Sequence, residues 1–127
     1  QALLAAADLT LLVSRSSLPA IAAARQWAVD LAAAAADGTG ATGVASLLVG
    51  AGRPYSASEV GKVLSLAVLE SVAWDPRGAQ VFSDGEAPAS GPWGRKDELV
   101  RSYRAAASAI AARVAAERVA LAPARSR

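Results

Sequence analysis

"VASLLVGAGRPYSASEV", residues 44–60, runs from an apolar segment through a glycine turn into a helix start. Val44 to Val49 offer no regular polar face, which reads as a strand buried on both sides. Gly50, Ala51 and Gly52 close it. Ser56 or Ser58 then caps a short helix through about residue 66, with Glu59 in its first turn and Val60, Val63 and Leu64 at helical spacing. A buried strand that leads straight into a helix predicts parallel strands joined by crossovers rather than hairpins.

The same turn invites a phosphate-binding reading, and two patterns test it. A dinucleotide fingerprint needs a third glycine where Tyr55 stands, and Pro54 interrupts the turn. A phosphate loop needs a Gly-Lys-Ser/Thr ending, whereas the only lysines are Lys62 and Lys96. Two readings stay open: a structural corner, or a ligand-contacting loop at the carboxyl end of a parallel strand, where open α/β sheets take their ligands.

Outward from this stretch the alternation continues. Residues 8–14, "DLTLLVS", read as a buried strand, followed by the turn "RSSLPA". Ser17 as cap and Pro19 in the first turn open a long helix that stops at Asp37-Gly38. "LAVLESVAW", residues 66–74, supplies a third strand that Asp75-Pro76 ends, and residues 77–85 form one or two helical turns. "EAPASGPWG", residues 86–94, is a linker or surface loop. Residues 95–122 form one long amphipathic helix with Leu99, Tyr103, Ala106, Ile110 and Val114 on one face, followed by a tail at 123–127. The fold class is α/β: a three-layer parallel sheet with flanking helices, all within one domain.

Composition narrows the chemistry. The 127 residues are 54% hydrophobic and 19% charged, which suits a single folded core. With no histidine and no cysteine, imidazole catalysis, thiolate chemistry and disulfides are excluded. A net charge of +2 is weak for a nucleic-acid surface, although Arg113, Arg118, Arg125 and Arg127 gather near the end. They allow contact with DNA or anionic lipid, but a solvated helix face explains them more simply. The chain contains no methionine, so it is expected to begin inside a longer protein.

Other candidate residues divide the same way. Asp75 follows a strand and is placed either to meet a base or ribose edge or to cap the next helix. Glu59, Glu70, Asp84 and Glu86 lie on different elements, which gives no support for an acid-base pair. Trp27 and Trp74 are expected to pack, while Trp93, between Pro92 and Gly94, is the expected exposed contact.

Three segments in order, "ADLTLLVSRSSLPAIAAAR", "SLLVGAGRPYSASEVGKVL" and "VLESVAWDPRGAQVFSDG", resemble the C-terminal half of the MinD/ParA-like P-loop ATPases of actinobacterial type. The resemblance implies a partial P-loop NTPase fold lacking its N-terminal half, residues 1–127 being the C-terminal portion of one α/β domain. In that family the strand before the turn ends in an Asn-Arg pair whose asparagine reads adenine. Gly50 to Arg53 occupy that place without the asparagine. The "AWDP" segment is similar to the family's turn beside the nucleotide base. By resemblance, Gly50, Gly52, Arg53, Asp75 and Pro76 line the base side of a nucleotide site, with no catalytic or metal-binding residue in this chain.

ATP and Mg are the implied cofactors of the parent protein, and none is implied for this chain alone. The deviant Walker motif and both switch segments are absent, so these residues are not expected to hydrolyse ATP unaided. The implied partners are the missing N-terminal half or a partner chain, and a second copy in a homodimer that engages a protein, DNA or an anionic membrane. The implied location is cytoplasmic or membrane-peripheral. The alternative is a catalytically inactive α/β interaction module that docks a protein through its long helix or the Trp93 loop.

Overall fold

The computed structural model describes residues 2–85 and 98–125. Eight elements follow one another: α1 (Ala2–Ala6), β1 (Leu9–Arg15), α2 (Leu18–Asp37), β2 (Gly43–Val49), α3 (Ala57–Leu64), β3 (Val68–Val72), α4 (Pro76–Ser83) and α5 (Glu98–Arg125). The strands form one sheet in the order β1-β2-β3 with both pairings parallel. The α/β architecture and the parallel sheet flanked by helices are therefore as expected.

Alternation along β2 creates the layers. Leu48 points to the face covered by α2 and α3, where it packs with Ile21, Ala24, Ala28, Val60 and Leu64. Leu47 and Val49 point to the opposite face and pack beside Val72, Leu99 and Ala106, under α5. A strand covered on both faces carries apolar residues on both, which is why residues 44–49 show no two-residue polarity period; the one polar residue among them, Ser46, is buried with its hydroxyl donating to Leu12 O at 3.1 Å. Leu48 and Val60 are fully buried. Each such side chain contributes about 1.5–3 kcal/mol of burial.

Local chemistry sets the boundaries. Ser56, not Ser58, caps α3: its hydroxyl accepts from the Glu59 N–H while the Glu59 carboxylate accepts from the Ser56 N–H, a reciprocal capping box. Helix α2 stops at Gly38 in a left-handed conformation, as expected. Ser17 does stand at the N-cap position of α2, yet its side chain makes no capping hydrogen bond.

Several expectations are corrected. The third strand is shorter than residues 66–74: Ser65 closes α3, a register irregularity lies between Ser46 and Leu47, and Ala73 N–H leaves the ladder for Ser102 Oγ at 2.9 Å. Helix α1 had no sequence signal strong enough to mark it. Helix α5 continues through Pro123 to Arg125, so those residues are not tail. Residues 86–97, with Trp93 and the expected helix start at Arg95, and residues 126–127, lie outside the described residues.

Trp27 does not pack. The stripe of α2 that meets the sheet is Ile21, Ala24 and Ala28, which leaves Trp27 62% exposed on another side of the helix. Tyr103 also sits off the buried face of α5, half-exposed and edge-on to Phe82 with ring centroids 6.0 Å apart. No helix among the described residues is long and apolar enough to cross a membrane.

Candidate functional site

All three strands end on one side of the molecule, and the residues singled out from the sequence lie along that rim. The turn after β2 is built by glycines: Gly50 and Gly52 adopt φ of 74° and 77°, a region that disfavours side chains. Gly50 N–H donates to Val72 O at 2.9 Å, which carries the pairing of β2 with β3 past the strand end. A Cβ at Gly50 would also stand 3.1 Å from Trp74 Cβ, so the turn and the indole are in close contact.

Ser16, just past β1, fixes this turn from the other side. Its hydroxyl is buried, lies 2.5 Å from Gly50 O and 2.8 Å from Arg53 O, and accepts from Arg53 N–H at 3.1 Å. One side chain thereby ties the β1–α2 connection to the β2–α3 connection. Arg15, immediately before it, stacks its guanidinium over Trp74, 4.1 Å from the ring centroid. Trp74 is 41% exposed rather than packed, because it stands beyond the end of β3.

Three depressions meet at Trp74. A notch of about 10 Å³ lies between Arg15, Ser16, Val49, Gly50, Arg53 and Trp74. A polar cleft of about 280 Å³ is bordered by Gly50, Ala51, Arg53, Ser71 to Trp74, Glu98 and Ser102. On the α5 face an apolar groove of about 450 Å³ runs past Val13, Val49, Trp74, Asp75, Pro76, Phe82 and Tyr103.

Of the expected site residues, Gly50 and Arg53 border the notch and the cleft, and Asp75 and Pro76 border the groove. Gly52 borders none of these three; its N–H donates to Tyr55 O at 2.7 Å and closes the turn. Asp75 performs the structural task its position allowed: Oδ1 accepts from Gly78 N–H at 3.0 Å and caps α4. Arg15, Ser16 and Trp74 were not among the expected site residues. Their meeting depends on strand register, which no short-range spacing encodes.

The donor set at the rim is cationic. Neither Arg15 nor Arg53 forms an ion pair among the described residues, whereas Arg113 pairs with Glu117 and Arg118 with Asp8. Among the described residues no cluster of acidic side chains could hold a metal ion. The rim can therefore stack and hydrogen-bond a planar or anionic ligand. No protein-family model, no curated protein and no solved structure matches this chain.

Proposed function

We propose that this chain is the C-terminal part of a MinD/ParA-like ATPase, with Gly50, Gly52, Arg53, Asp75 and Pro76 walling the base end of the nucleotide site. The observation that carries the reading is the gathering of Gly50, Arg53 and Trp74, flanked by Asp75 and Pro76, at the carboxyl ends of parallel strands. In the family it resembles, the triphosphate and its metal are held by the N-terminal half, and the reading gives these residues no part in hydrolysis.

The test is calorimetric titration of the full-length protein with ATP and, separately, with tripolyphosphate. Arg53→Ala should weaken ATP by about tenfold, the value of one charge-assisted hydrogen bond, and leave tripolyphosphate unchanged. Asp75→Asn keeps a capping side chain and removes the charge, which separates recognition from helix capping. ATP binding untouched by both substitutions overturns the reading.

A second reading, a catalytically inactive module that docks a protein, is favoured by the apolar groove. Val13, Phe82 and Tyr103 are all exposed there. Such a module would bind no ATP, so the unsubstituted protein in the same titration separates the two.

A further inference from the structure

We infer that the stacked pair Arg15–Trp74 is the platform on which the purine ring lies, which makes Arg15 and Trp74 specificity-determining residues of the site proposed above. The inference rests on that nucleotide reading and adds two residues to it.

The geometry is that of a surface prepared in advance. Arg15 is exposed, yet its guanidinium carbon is held over an indole, 4.1 Å from the ring centroid. Arg53 is brought to the same notch, and its Cδ lies 3.7 Å from where a Gly50 Cβ would stand. Ser16 bonds to the backbone of both Gly50 and Arg53, so the two arginines' backbones are tied together across the tips of β1 and β2.

Ordering long cationic side chains costs rotamer entropy, and placing two like charges beside one notch adds repulsion. Among the described residues no carboxylate offsets that cost for either guanidinium. The partner that does so is a ligand with a π-face for the guanidinium plane and negative charge nearby. A nucleotide has both: its base stacks on arginine planes and aromatic rings, while its phosphates, which the reading above gives to the N-terminal half, bring negative charge near the pair without touching it. Trp74 borders all three depressions and Arg15 the notch between them, so a ring in any of the three lies beside the indole that Arg15 covers.

The experiment titrates the full-length protein and its variants with ATP and with tripolyphosphate, after thermal melting confirms that each variant is folded. Arg15→Ala should weaken ATP about tenfold and change tripolyphosphate less than twofold, because a stacking surface is lost and a phosphate ligand is not. Arg15→Lys should be nearly as weak, since an ammonium has no plane to stack. Trp74→Phe, which keeps a ring and spares the fold, should retain most of the affinity.

ATP affinity of Arg15→Ala within twofold of the unsubstituted protein overturns the platform, even while Arg53→Ala upholds the base wall. Equal losses for ATP and tripolyphosphate overturn it too, since Arg15 would then act only as a charge. Failure of the Arg53 and Asp75 variants to alter ATP binding overturns the underlying reading.

Discussion

Ser16→Ala tests whether the rim is held by one buried hydroxyl. Ser16 is 1% exposed, and its Oγ lies within hydrogen-bonding distance of Gly50 O, Arg53 O and Arg53 N–H together. The hydroxyl has one proton, and Gly50 O at 2.5 Å is nearer than Arg53 O at 2.8 Å. Alanine would remove that donor and leave the carbonyl of the buried Gly50 short of a partner, at a cost of about 1–3 kcal/mol. Arg53 lies in an exposed turn, so its N–H can recover a water and adds little.

The expected loss is thus about 2 kcal/mol in urea unfolding, with the m-value unchanged. It corresponds to a Tm lower by about 8 °C, at about 4 °C per kcal/mol for a chain of this size. Ser17→Ala is the matched control. Ser17 is the residue a sequence reading selects as the cap, but its side chain makes no capping bond, so its removal should stay within about 0.5 kcal/mol. A Ser16→Ala loss below about 0.5 kcal/mol, or an equal loss for both serines, would refute the reasoning.

Two further outcomes are expected. Gly50→Ala and Gly52→Ala both force a side chain into positive φ, at about 1–2 kcal/mol each. Gly50→Ala should cost more in the same assay, because its Cβ meets Trp74 at 3.1 Å while nothing lies within 4 Å at Gly52; equal losses would contradict the close packing of turn and indole. The Glu59 carboxyl is held below its ordinary value of 4.5, chiefly by the Ser56 N–H and then by the Ser56 hydroxyl. A depressed folded-state value means the capping box contributes fully above pH 4.5 and is lost as pH falls through the lower, folded value. An NMR titration should place the Glu59 carboxyl below 4.5, and a value at or above it would remove this account.

The fold was legible in the sequence because its signals are local. Val44 to Val49, the Ser56 cap with Glu59, and the Asp37-Gly38 stop each act over one or two helical turns or one strand. The mistakes came where a longer-range contact decides. Trp27 reads as core by composition, but only the geometry of α2 against the sheet shows that Ile21, Ala24 and Ala28 fill the contact. In "RSSLPA" the sequence singles out Ser17 as the cap, and only the turn at residues 50–53 shows that Ser16 is the serine whose hydroxyl is engaged. The rim followed the same rule. Gly50, Gly52 and Arg53 were recognisable as a strand-end turn, while the approach of Arg15 to Trp74 spans the whole sheet and carries no local pattern.

The two ends of the sheet are finished differently, and the difference bears on where a ligand can sit. At the amino ends of the strands, α5 comes down onto the backbone. Gly43 has no Cβ because Glu117 would lie 2.8 Å from it, and Arg118 reaches Asp8 just before β1 at 2.8 Å. Those contacts close that end. At the carboxyl ends α5 is seated over β3, where Ser102 Oγ accepts from Ala73 N–H, and Leu99 packs beside Val72. A helix that covers β3 at one end and reaches β1 only at the other must cross the sheet diagonally. The corner it leaves uncovered is the carboxyl end of β1, which is why Val13 is 57% exposed although it stands level with Leu47 in the sheet. Arg15, two residues on from Val13 along β1, stands at the same corner. A ligand on Arg15 and Trp74 would therefore lie between this corner and the α5 residues Leu99 and Tyr103, which line the groove beside the indole.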